Sequence, residues 1–148
     1  MKKFSFALDR VLEWRRAQAR REEMKLERLY AELSALDASQ AALREQLQQA
    51  ETGVRSRTGP AIYGEDLRAL SAFQSYAAAE HGRIAQARSR CEQQIAAQTR
   101  ILTLLRRNVK LLEKLKDRRV TAWSREEERE IGQQAEESHL AKWNREHV

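Results

Sequence analysis

The sequence predicts an all-α fold: a long two-helix antiparallel coiled-coil hairpin whose second helix is longer than its first. Three observations predict it. A seam of thirteen positions runs from Leu8 to Ala50 in alternating steps of four and three, and ten of the thirteen are apolar. A weaker seam repeats the pattern from Tyr63 to Trp123. Between them, Gly53 to Gly64 holds three of the five glycines and the single proline. A 3.5-residue apolar period favours helices that wind around a partner helix. With 34% charged residues and so few breakers, the composition is that of long helices.

The first seam is Leu8, Leu12, Arg15, Ala19, Glu22, Leu26, Leu29, Leu33, Leu36, Gln40, Leu43, Leu47 and Ala50. It sets the first helix at about residues 5–53, with Ser5 as N-cap. Gly59-Pro60 is a strong breaker, and proline is also at home in a first helical turn, so the turn is expected at about 54–60. The second helix then runs from about 61 to 140. Its seam has polar breaks at Gln74, His81, Arg88 and Gln98, and Cys91 lies on it as a small buried residue. The whole chain, 1–148, reads as one hairpin.

With 53 and 61 flanking the turn, facing residues have numbers summing to about 114, which puts Leu36 near Ala78 and Leu8 near Arg106. Leu29, Leu33 and Leu36 are expected to be buried. At 1.5 Å per residue the helices are roughly 70 and 120 Å long, so residues after about 113 have no partner in the hairpin. That overhang carries Leu115, Trp123, Ile131, Leu140 and Trp143, and self-association through it is one expectation.

Charge is uneven. Residues 10–28 hold seven basic and four acidic side chains; residues 100–119 hold eight and two, a net +9 for the two stretches in a chain of +6. Such a patch suits a polyanion or an acidic protein surface, or is simply a solvated face. Arg15 stands apart because it occupies the seam. The single cysteine excludes an internal disulfide. The opening Met1 to Phe6, followed by Asp9 and Arg10, does not read as a signal peptide, and no run approaches a membrane span. A cytosolic setting is the simplest expectation.

No catalytic or metal site is expected and no cofactor is implied. His81 and Cys91 lie ten residues apart on one helix, about 15 Å by the helical rise, too far to share a metal. His139 and His147 are equally unsuitable, and no hydrolase, P-loop or zinc motif occurs. Nucleic acid is not an expected partner, because only Trp14 interleaves with the basic groups of the first helix.

The opening run Phe4-Ser5-Phe6-Ala7-Leu8-Asp9-Arg10-Val11-Leu12-Glu13-Trp14-Arg15 resembles the start of the flagellar FliJ family. Phe4, Phe6, Leu8, Val11, Leu12 and Arg15 occupy the positions of its aromatic-x-aromatic-x-Leu-x-x-Val-Leu-x-x-Arg pattern. Leu112-Glu113-Lys114-Leu115 is similar to a Leu-Glu-Lys-Leu segment of the family, and Phe73-Gln74-Ser75-Tyr76 to an aromatic-Gln-x-aromatic stretch.

The resemblance implies a non-enzymatic part of the flagellar type III protein export apparatus. It would be a two-helix central stalk in the hexameric export ATPase (FliI-like) and an escort for export chaperones. It would act at the cytoplasmic face of the inner membrane, where it meets the export-gate membrane protein (FlhA-like). On that reading Arg15, Arg16, Arg20, Arg21, Arg106, Arg107 and Lys110 are the candidate ATPase contacts. Phe73, Gln74 and Tyr76 are the candidate gate contacts, although the first-helix stretch from Leu43 to Val54 lacks the tyrosines that family members can carry there. The alternatives are a stalk of a virulence type III secretion system, a generic coiled-coil scaffold, and a basic rod that binds nucleic acid.

Overall fold

The computed structural model describes residues 3–57 and 64–147. It contains two helices, α1 (Asp9–Arg55) and α2 (Gly64–Glu146), paired antiparallel, with α2 the longer. Within the described residues no helix is long and apolar enough to cross a membrane. The Gly59-Pro60 breaker, the expected helix start near 61 and the seam position Tyr63 lie outside the described residues. The chain's contacts divide it into two compact units, Met1–Arg20 with Thr103–Val148, and Arg21–Leu102.

The first seam holds closely. All twelve positions from Leu12 to Ala50 are buried or half-buried, and only Leu8, at 37% exposure, is open. Leu29, Leu33 and Leu36, expected to be buried, are half-buried, because two helices cover only a stripe of each other. On α2, Ala77, Ile84, Cys91, Leu102 and Leu105 are buried. Leu67, Gln74 and Arg119 are exposed against expectation, and Asp66 and Phe73 take the inward places near the helix start.

In the unit Arg21–Leu102, Leu43, Ala77 and Ile84 form the core cluster, with Leu36 and Leu47 packed against it. Polar residues that interrupt the seams of this unit find partners across the helix pair. Gln40 Nε2 and His81 Nε2 lie 3.2 Å apart. Gln98 Nε2 donates to the Glu22 carbonyl at 3.0 Å and also to the Glu22 carboxylate. Arg88 Nε stands 3.2 Å from Asp37 Oδ1. The Cys91 thiol donates to the Leu29 carbonyl at 3.2 Å, so Cys91 is the buried seam residue expected.

These pairs correct the register. Their numbers sum to about 120–125, not about 114, so Leu36 does not face Ala78. The first helix also runs further than expected, α1 continuing to Arg55 rather than ending near 53. Arg57 closes this end, its guanidinium 2.7 Å from Asp66 in the first turn of α2, where a carboxylate also complements the helix dipole.

In the other unit, Phe6, Leu12 and Leu105 are buried, Leu12 to 1%. Lys116 Nζ donates to Asp9 Oδ1 at 2.7 Å and Arg16 bonds Glu113 at 2.9 Å, so Leu8 does not face Arg106. Ser5 is not the N-cap. Residues 3–6 are non-helical and 7–8 form a turn; Asp9 N donates to the Phe6 carbonyl at 3.1 Å and Leu12 N to the Leu8 carbonyl at 2.9 Å. The reason is geometric. In a helix Phe4 and Phe6 would point about 200° apart, whereas in an extended segment residues two apart share a side. Phe6 is buried, and Phe4 meets Trp123 with ring centroids 5.9 Å apart.

The partnered part of α2 therefore reaches well past 113, to Trp123 and Glu126, because the non-helical segment 3–8 covers it. From Glu128 onward every described residue is exposed, Ile131, Leu140 and Trp143 included.

Three outcomes follow from this packing. Cysteines replacing Gln40 and His81 in a Cys91→Ser background should be joined within one chain by a short bismaleimide. A product formed only between chains would contradict the antiparallel pairing. Leu12→Ala should lower stability in urea by about 2–5 kcal/mol, the range for emptying a core leucine site, and Leu33→Ala by less. Equal losses would contradict the difference in burial.

The third outcome concerns Glu22. The Gln98 amide, and then Lys25, hold the Glu22 carboxyl below its ordinary value of 4.5. A carboxyl with a lowered folded-state pKa stabilises the fold fully above its unfolded value, and that contribution is lost as pH falls through the folded value. The Tm gap between the natural chain and Glu22→Gln should therefore narrow between about pH 5 and pH 3. A gap independent of pH would remove the ionised carboxylate from the seam's energetics.

Candidate partner-binding surfaces

The candidate ATPase contacts do not form one patch. On α1, Arg16 and Arg20 are four apart and share a helix face. On α2, Arg106, Lys110 and Glu113 are spaced by four and three and share one too. The Arg16–Glu113 pair joins these faces, so Arg16, Arg20, Arg106 and Lys110 gather on one side of the helix pair. Arg107 is turned about 100° from Arg106 on the helix circumference and leaves this side. Arg21 is turned away from Arg20 in the same manner and belongs to the unit Arg21–Leu102.

Arg15 plays another part. It is half-buried at its seam position, as expected, and its guanidinium lies 5.0 Å from the centre of the Trp14 ring while reaching Gln18 at 3.4 Å. The Trp14 face attracts the cation electrostatically and spares it a wholly apolar setting. Arg16 is held loosely, with the side chains of its pair 43% and 42% exposed. Exposed pairs of this kind contribute only about 0–1 kcal/mol, so these arginines are dispensable for folding.

The candidate gate residues occupy one turn of α2. Phe73 is half-buried and Tyr76 is exposed, with their ring centroids 6.2 Å apart at 33°. Gln74, exposed, crosses to Glu51 Oε1 on α1 at 3.2 Å. Beside this turn lies a shallow apolar groove of Leu43, Leu47, Ala77 and Ala78, edged by Arg44 and His81. Sequence reasoning missed this groove. Its signal was the Ala77-Ala78 pair, small residues set opposite leucines, which leaves space between the helices.

A second missed feature is a cleft of roughly 450 Å³ between the segment 3–8 and α2, walled by Phe4, Phe6, Leu8, Leu115, Arg119 and Trp123. A register summing to about 114 leaves that part of α2 without a partner, so the spacing alone does not reveal the cleft. Among the described residues no group of three His, Cys, Asp or Glu side chains is placed to hold a metal ion. Comparison of the chain with protein-family models, curated proteins and solved structures finds no match.

Proposed function

We propose that this chain is a non-enzymatic component of a flagellar type III export apparatus. It serves as the central stalk of the export ATPase hexamer and as an escort for export chaperones, peripheral to the cytoplasmic face of the inner membrane. The observation that carries the reading is what the N-terminal motif does. Its aromatics are not required by a coiled coil, yet here they are working parts: Phe6 and Leu12 are buried, and Phe4 packs against Trp123. The motif that resembles the FliJ family is thus the segment that closes the open end of the helix pair, a reason for the pattern that chance convergence of heptads does not supply.

A stalk needs a firm helical pair with a chemically distinct end for its ring. The side bearing Arg16, Arg20, Arg106 and Lys110 supports that assignment, since a basic end is attracted to acidic loops lining a ring and contributes little to folding. The turn of Phe73, Gln74 and Tyr76 supports a separate contact with the export gate, as aromatic side chains beside an apolar groove suit a protein interface.

Replacing Arg16, Arg20, Arg106 and Lys110 with Ala should weaken binding to the purified hexameric ATPase at least about tenfold, a change of 1.4 kcal/mol, while the circular dichroism melt stays put. Phe73→Ala with Tyr76→Ala should leave ATPase binding intact and weaken binding to the cytoplasmic domain of the gate protein. Unchanged ring binding in the quadruple variant would remove the basic side from the contact, and no binding by the natural chain would overturn the assignment.

A further inference from the structure

In the unit Met1–Arg20 with Thr103–Val148, each helix has two flanks beside its seam. One flank holds the residue that precedes each seam position, the other the residue that follows. In an antiparallel pair, the preceding flanks of both helices lie on the same side. On α1 the preceding residues of Leu12 and Arg15 are Val11 and Trp14; on α2 those of Leu105, Val109, Leu112 and Lys116 are Leu104, Asn108, Leu111 and Leu115. Apart from Asn108 all are apolar and exposed, Val11, Trp14, Leu104, Leu111 and Leu115 at 43%, 58%, 58%, 61% and 36% respectively. An apolar face this concentrated marks an interaction site more often than a solvated surface.

The charges around it are one-sided. Within residues 9–20 and 103–120 the acidic residues are Asp9, Glu13, Glu113 and Asp117, and each follows a seam position, which puts all four on the opposite side. There Asp9 and Glu113 are engaged by Lys116 and Arg16. The rim of the apolar side is instead Arg10, Arg107, Lys114 and Arg118, which lie further round the same flanks.

We propose that this face binds an acidic amphipathic helix of a partner protein. The partner would lay apolar residues at alternating three- and four-residue spacing between α1 and α2 and set carboxylates against the basic rim. From Leu104 to Leu115 the face offers about 17 Å along the helix axis, enough for three turns of such a helix. Two-fold pairing with a second copy is disfavoured, since it would bring two basic rims together. The exposed end of α2 is acidic around Glu126 to Glu130 but carries a single large apolar residue, Ile131, before Leu140, and does not match the spacing. The inference is independent of the stalk reading, because Arg16, Arg20, Arg106 and Lys110 occupy the other side.

The test uses the full chain and two labelled helical peptides with leucines at that spacing, one flanked by Glu and the other by Lys, followed by fluorescence anisotropy. The Glu peptide should bind saturably and weaken with added salt. Binding should fall at least tenfold in Leu104→Gln with Leu111→Gln, whose wild-type side chains are more than half exposed and dispensable for folding. Arg107→Glu with Lys114→Glu should transfer the preference to the Lys peptide. Equal binding of both peptides by the natural chain, or undiminished binding by the Leu variant, would overturn the proposal. So would a concentration-dependent dimer in sedimentation that the Leu variant abolishes, which would give the face to a second copy.

Discussion

The structure depends on polar residues that interrupt its seams and meet each other across them. An uninterrupted leucine seam would let two helices slide by a heptad at small cost, because each new position again sets leucine against leucine. Glu22 against Gln98 and Gln40 against His81 prevent this in the unit Arg21–Leu102. A slip would set these groups against leucines and cost them their hydrogen bonds. Polar seam positions lower the total stability and raise its specificity for one register. What is covered and what is left open in each unit then follows from that register.

The legible part of the fold was the part fixed by periodicity. Which residues of α1 turn inward was readable from spacing alone, since a heptad needs no knowledge of the partner. Register was not readable in that way. It was inferred from where the turn would begin, and helix ends are decided by a few local hydrogen bonds, such as Ser56 N to the Thr52 carbonyl, that leave little trace in the pattern. Gln40 and His81 appeared as separate breaks in two seams; that they are one interaction required the pairing. Phe4 and Phe6 show the complementary failure. A helix begun at Ser5 would take in Phe6, and the burial of Phe6 together with the packing of Phe4 on Trp123 overrode it.

The candidate sites were legible by composition and blurred in geometry. The basic cluster was visible as a charge imbalance, but a count along the chain does not distinguish Arg20 from Arg21, which differ by about 100° on the helix. Once the seam is known, the flank of each charge is set by whether it precedes or follows a seam position. On that rule the acidic residues fall to one side and the exposed leucines to the other, so one short region offers two chemically different faces.

Cys91 has its thiol against the Leu29 carbonyl and is 3% exposed between the paired helices of its unit. A thiolate reacts, and a thiol buried between two helices meets reagent only when the helices part. The chain therefore carries a built-in gauge of its own opening. A thiol-directed dye reads the breathing of the pair at one residue, without an introduced probe, and a partner that clamps the helices together would silence it.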